Sequence, residues 1–238
     1  MNVSAKNLDF KELNSLVRKA SGDLCIKDCF GQRFIGSAMS GKKLTITGTP
    51  GNALGAYLNG GIIEVNGNAQ DAVGDTMNDG KIIIHGSAGD ALGYAMRGGS
   101  IFVKGNAGYR AGIHMKEYRD KKPVIVIGGT TGSFLGEYLA GGLIIVLGLG
   151  ISNAPVWNFT GTGMHGGKIF IRTNSELPPL PKQVVKEIAA KDDLSEIIPY
   201  LDEFSEHFGF STNELLNENF YILRPNAKNP YKMLYTAY

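Results

Sequence analysis

The feature that most constrains this chain is a glycine pattern that returns every 19 residues. Gly48 recurs as Gly67, Gly86 and Gly105, and Gly55 recurs as Gly74, Gly93 and Gly112. Between them lie Gly60-Gly61, Asp79-Gly80 and Gly98-Gly99, each followed by a short β-branched run. A fixed period with two kinds of corner is the mark of a stacked solenoid, in which one repeat cannot bury its apolar side without its neighbours. The chain holds 33 glycines in 238 residues. Because they are periodic, they indicate repeated tight corners and not disorder.

Stacking the repeats gives apolar columns. The residue before each corner glycine is Ile35, Leu54, Val73, Leu92, Ala111 and Leu135. Three residues past it stand Met39, Leu58, Met77, Met96, Met115 and Leu139, then Met164. In the β-branched runs Leu44, Ile63, Ile82, Ile101, Ile125, Ile144 and Ile169 form a ladder, with Ile46, Val65, Ile84, Val103, Ile127, Val146 and Ile171 two places on. Period-2 alternation with like residues in register is what an inward-facing β-solenoid requires. About seven rungs, ~4.8 Å apart, would make a column of roughly 34 Å. The fold class expected is therefore an all-β solenoid. The corners are Gly36, Gly55, Gly74, Gly93, Gly112, Gly136 and Gly161, each needing a positive φ or too close to the next rung for a Cβ. The methionine column reads as soft core packing and not as a ligand site.

Three segments follow from this. Over 1–22, Asp9 and Glu12 form a capping box before Leu13, Leu16 and Val17, so 10–20 is expected to be a helix capping the open end of the stack. The solenoid occupies 23–175. From Leu177 a proline-rich linker leads into a helical extension over 176–238, with helices expected at 182–191 (Val184, Val185, Ile188, Ala189) and 194–208. Pro199 would fall in or near the first turn of the second. A brief third helix would start near Phe210, a strand is expected at 220–225, and an aromatic tail follows at 229–238.

Composition excludes several roles. With 24 basic and 22 acidic residues the net charge is near zero, so nothing favours nucleic acid or an anionic membrane. No run approaches 18 apolar residues and the N-terminus has no signal-peptide core, so a cytoplasmic location is expected. Cys25 and Cys29 cannot build a four-ligand zinc site, and both are expected to be reduced, mostly buried thiols. Gly161-Thr-Gly163-Met-His-Gly166 spells G-x-G-x-x-G but does not join a strand to a helix, and no P-loop motif occurs. Asp71 and Asp90 share a column, a weak hint of the paired carboxylates that a polymer-cleaving β-helix enzyme would use.

Two breaks in the period carry more information. Residues 116–123 replace the expected double glycine and add five residues; 151–159 add about six and hold the only tryptophan. Loops that leave a rigid stack are where binding surfaces form. The candidate partner-interface residues there are Arg110, His114, Lys116, Glu117, Tyr118, Trp157, Phe159 and His165. The outward strand column runs Thr45, Glu64, Ile83, Phe102, Val126, Ile145 and Phe170, polar early and apolar late. The late stripe needs cover, either from the C-terminal segment or from a partner.

The G-x-x-G-x-x-x-G units, the Met/Leu-x-Gly-Gly corners, the run 105–118 and Gly161-Thr-Gly-Met-His-Gly-Gly167 resemble the GXGXG domain. That domain is the right-handed, single-stranded β-helix at the C-terminal end of the glutamate synthase large subunit, and the resemblance covers roughly 25–173. The chain looks like its stand-alone form; one of the subunits of formylmethanofuran dehydrogenase has the same kind of helix. The resemblance implies a non-catalytic scaffold subunit, with no cofactor of its own, holding amidotransferase and FMN/Fe–S subunits that make glutamate from glutamine and 2-oxoglutarate. Contact would be through the insertion loops and the late outer stripe, and a homo-oligomer is possible within such an assembly. A formylmethanofuran dehydrogenase-like complex is the alternative host, and a self-standing β-helix enzyme acting on a polymer is the third reading.

Overall fold

The computed structural model describes residues 1–226, and these form one continuous sheet wound into a solenoid. In chain order the elements are β1 (Asn2–Ser4), α1 (Phe10–Lys19), β2 (Leu24–Phe30), β3 (Lys43–Thr49), β4 (Asn59–Asn66), β5 (Asp79–Ile84) and β6 (Ser100–Val103). Then come β7 (Val124–Ile127), β8 (Ala140–Val146), β9 (Gly166–Arg172), β10 (Val184–Ile188), α2 (Lys191–Phe208), α3 (Thr212–Leu215) and β11 (Phe220–Pro225). The sheet order is β1-β2-β3-β4-β5-β6-β7-β8-β9-β11-β10. Pairs from β1 to β9 are parallel, while β9–β11 and β11–β10 are antiparallel.

The glycine period and the aliphatic ladder act together. Ile63 pairs with Ile82, Ile82 with Ile101, Ile101 with Ile125, Ile125 with Ile144 and Ile144 with Ile169, and all are fully buried. Both insertions are absorbed without loss of this register. Across the core from the ladder lies a wall of tight turns. A Cβ built on Gly93 (φ +66°) would meet Ile125 Cδ1 at 2.5 Å, so any other residue at this corner is strained in φ and must also push the Ile125 tip aside. The Met39-to-Met164 column is buried in the same core, as packing.

At the N-terminal end α1 starts where expected. Asp9 Oδ1 accepts the Glu12 N–H at 2.8 Å, and Glu12 Oε2 accepts the Asp9 N–H at 3.0 Å. Leu13 and Val17 face the first turn, and the Lys42 ammonium donates to the Val17 and Ala20 carbonyls at the helix C-terminus. The strand β1 was not legible beforehand. Three residues show no periodicity, and parallel pairing with β2 forms them, flanked by N–H bonds from Cys25 to Met1 O and from Ala5 to Lys27 O. Of the two thiols only Cys29 is buried, and burial pushes it up to about 11. Cys25 is exposed, which corrects the expectation that both lie inside: alternation along β2 turns it outward.

The C-terminal segment departs from expectation at one element. Residues 182–191, expected as a helix, contain the strand β10, paired Val184↔Pro225 through Ile188↔Tyr221 with β11. Val184, Val185 and Ile188 suit either structure, and the ladder offered by β11 decides it. Pro199 also lies well inside α2 and not in its first turn. Helix α2 lays Ile197, Leu201, Phe204 and Phe208 over Ile83, Phe102, Val126, Ile145 and Phe170. The late apolar stripe is thus covered by the chain itself and is not a partner surface. Arg172, nearly buried, ties the last strand to α3 by donating to the Leu215 and Leu147 carbonyls at 2.8 and 3.2 Å and pairing with Glu218 at 2.9 Å. The aromatic tail at 229–238 lies outside the described residues.

Candidate functional site on the turn wall

With the late half of the strand wall covered by α2, the opposite wall of turns remains a broad exposed face. Each turn carries a non-glycine residue with φ near +50 to +65° two places before the corner, and all but the last, where Gly163 stands, carry another two places after it. One column runs Phe34, Ala53, Ala72, Ala91, Arg110, Phe134 and Phe159; the other runs Ala38, Tyr57, Thr76, Ala95, His114 and Tyr138. Left-handed backbone is costly for such residues. Here inter-rung hydrogen bonds enforce it: the Arg110 N–H donates to Ser133 O at 3.0 Å, His114 to Glu137 O at 2.9 Å, and Tyr138 to Thr162 O at 2.8 Å.

In the last turns these columns bring side chains together. His114 stacks on Tyr138 with ring centroids 5.1 Å apart and planes 6° apart, and Tyr94 meets His114 edge-on at 6.0 Å. Arg110 lies over Phe134 at 4.9 Å and donates to Glu137 Oε2 at 3.1 Å, while Phe134 stacks on Phe159 at 4.8 Å. Trp157, two residues before Phe159 in the chain, is 62% exposed. Tyr138 also lies flat beneath the next turn, where a Cβ on Gly163 would be 2.5 Å from its ring, and His165 Nδ1 lies 3.2 Å from Gly163 O.

The insertion 116–123 sits on the corner between this wall and the strands. Glu117 Oε1 accepts the Gly142 N–H at 3.0 Å, so Glu117 fastens the insertion to β8. Lys121 pairs with Asp79 at 2.7 Å; that contact, opposed by partial burial and aided by the Gly80 N–H, holds the Asp79 carboxyl below its usual range. Two adjoining hollows of about 260 and 290 Å³ share Arg97 and Tyr118; Lys116 lines one and Arg119 the other.

Of the expected interface residues, Arg110 and Phe159 meet through Phe134, His114 joins Tyr138, and Lys116 and Tyr118 line the neighbouring hollow. Tyr94, Phe134, Glu137 and Tyr138 were missed. The signal was present, since Phe134 and Tyr138 each stand 24 residues beyond Arg110 and His114, across the insertion. Asp71 and Asp90 have another use. Asp71 Oδ1 accepts the Asp90 N–H at 2.9 Å and Asp90 Oδ1 the Tyr109 N–H at 2.8 Å. A parallel ladder runs through Asn68, Ser87 and Asn106. These oxygens pin one rung to the next, which leaves the polymer-cleaving reading without its acid pair. Among the described residues no group of three or more His, Cys, Asp or Glu is placed to hold a metal ion. No helix among them is long and apolar enough to cross a membrane.

A continuous aliphatic core, glycine corners at fixed period and a capped sheet define the class, and the chain belongs to the GXGXG-motif family, whose model matches residues 15–227. It is 41% identical to the uncharacterized protein MJ1350 of Methanocaldococcus jannaschii over 249 aligned positions, covering 98% of this chain and 95% of that one. In fold it is similar to a chain of the formyltransferase/hydrolase complex FhcABCD from Methylorubrum extorquens, solved with methylofuran. The TM-score is 0.61 at 22% identity, over 84% of this chain and 72% of the other.

Proposed function

We propose that this chain is a non-catalytic β-solenoid subunit that holds catalytic partners in a multi-subunit enzyme complex. The observation that carries the reading is how its polar groups are used. The core is aliphatic throughout, and the one recurring column of acids is spent on inter-rung backbone amides. Among the described residues the charged clusters pair internally, as Lys81 and His207 do with Glu203 and as Lys122 and Lys168 do with Glu196, and do not converge in the way a reaction site needs. The host favoured is a complex of the formyltransferase/hydrolase or formylmethanofuran dehydrogenase-like kind, because the solved fold neighbour belongs to such an assembly.

A glutamate synthase-type host is the second reading, favoured by the runs 105–118 and 161–167. In it the partners would be amidotransferase and FMN/Fe–S subunits, which would carry the cofactors. Affinity purification of the tagged chain from its own cells separates the two. Formyl-handling subunits in stoichiometric amount support the first host; amidotransferase and flavin subunits support the second. A chain that purifies with no stoichiometric partner refutes the scaffold reading.

A further inference from the structure

The turn wall contains its own control. The early turns of the same two columns hold alanine at Ala53, Ala72 and Ala91, and at Ala38 and Ala95, beside Thr76, an isolated Tyr57 and a Phe34 that packs against Phe10 of α1. The fold therefore accepts alanine there. In the last turns those positions carry Arg110, Phe134 and Phe159, and His114 and Tyr138; apart from Tyr138, whose ring also packs beneath Gly163, the alanine turns show that the solenoid does not call for side chains of this size. Stacked in pairs, they are held rigid before anything binds, which lowers the entropy cost of docking. Tyr94, Tyr138, Trp157 and Phe159 are all exposed. An aromatic patch of this kind, set on a rigid frame and away from the covered strand wall, has the composition of a binding hot spot.

Charge says what fits it. Of the carboxylates nearby, Glu137 is engaged by Arg110 and Glu117 by the Gly142 amide, while Asp120 stands exposed on the rim of one hollow. Arg97 and Lys116 make no ion pair or side-chain hydrogen bond among the described residues, and Arg119 only stacks on Tyr118 at 5.3 Å. Three cations without carboxylate partners, against the one exposed carboxylate of Asp120, thus line the hollows of about 260 and 290 Å³, with Arg97 and Lys116 close in sequence to Tyr94 and His114 of the aromatic stack. We propose that this aromatic and basic half of the turn wall docks an acidic segment of a partner subunit, anchored by an apolar or aromatic side chain against Tyr94, His114 and Tyr138. The inference rests on the scaffold reading above and adds the face and the chemistry of the partner.

The test uses the full-length tagged chain expressed at its own locus. Wild type is compared with His114→Ala/Tyr138→Ala, with Arg97→Glu/Lys116→Glu, and with a control, Lys191→Glu, on the exposed start of α2. Alanine is already accommodated in this backbone conformation, so the first variant should melt near wild type. It should nevertheless retain about tenfold less partner. The charge variant should do likewise and abolish the salt sensitivity of binding, while the control retains the partner. A photo-cross-linking benzoylphenylalanine in place of Tyr138 should capture a partner peptide of net negative charge. Full retention by both variants overturns the inference and leaves the scaffold reading standing, as does a cross-link to a basic or neutral peptide or to a second copy of the chain. If wild type retains no partner, both fail.

Discussion

Replacing Phe204 with alanine removes the side chain on which the cover of the strand wall turns. Phe204 is fully buried and packs with Phe102, Val126 and Ile145 in the outer cluster. Its ring meets Phe208 at 4.7 Å and 67° and stacks near Phe210 at 5.7 Å. Its tip comes so close to Gly128 that a Cβ there would lie 2.9 Å from Cζ. A buried Phe→Ala change costs about 3–5 kcal/mol, of which the aromatic contacts account for roughly 0.5–1.5. With a urea m-value of about 3 kcal/mol/M, the midpoint should fall by roughly 1–1.7 M. The neighbouring exposed Glu206→Ala should stay within about 0.5 kcal/mol. Solenoids can open in sections, so hydrogen exchange at β6–β8 should accelerate before that at β3 and β4. A Phe204→Ala cost below ~1 kcal/mol would refute the claim that α2 closes the late rungs.

Four further outcomes are expected. Gly61→Ala, where the new Cβ would sit 2.4 Å from the Lys42 carbonyl at φ +85°, should cost more than Gly93→Ala, whose clash is with the movable tip of Ile125; backbone strain alone is worth about 1–3 kcal/mol, and chemical denaturation of the two variants ranks them. Gly93→Val should also cost well over ~1 kcal/mol. Asp90→Ala strips the acceptor from the Tyr109 N–H and should cost about 1 kcal/mol, a melting shift of roughly 2–4 °C, whereas Asp90→Asn should recover most of it. Burial, with Lys81 next, holds the His207 imidazole below its usual value of 6.5, so its neutral form is favoured in the folded state. Its contribution to stability is then full above about pH 6.5 and is lost as pH falls toward the depressed folded value. Melts of His207→Gln from pH 8 to 5 should show a shallower acid loss than wild type, and an unchanged slope would count against the assignment.

Much of the fold was legible because a repeat states its own register. Once Gly55, Gly74 and Gly93 are aligned, Ile63, Ile82 and Ile101 must lie on one face, and the pairs observed are those. The N-terminal cap was equally local, since Asp9 and Glu12 bond across a single turn. The element that failed, 182–191, lies where the repeat has ended. Its apolar residues fit a helix, but β11, more than thirty residues on, supplies a ladder that no local pattern encodes. The candidate site was half legible. Insertions pointed to Arg110, His114 and Phe159, but their stacking partners Phe134 and Tyr138 were hidden by the shift in period that the insertions themselves introduce.

The sequence by itself determined the solenoid, because 19-residue spacing forces like residues into like environments turn after turn. It also determined which side chains fill the core. The tertiary structure alone decided which wall faces outward. The late stripe of Ile83, Phe102, Val126, Ile145 and Phe170 is apolar enough to bind a partner, yet α2 lies on it, brought there by contacts between distant segments. That leaves the turn wall open, where left-handed backbone turns His114 and Tyr138 outward and inter-rung hydrogen bonds hold them in place.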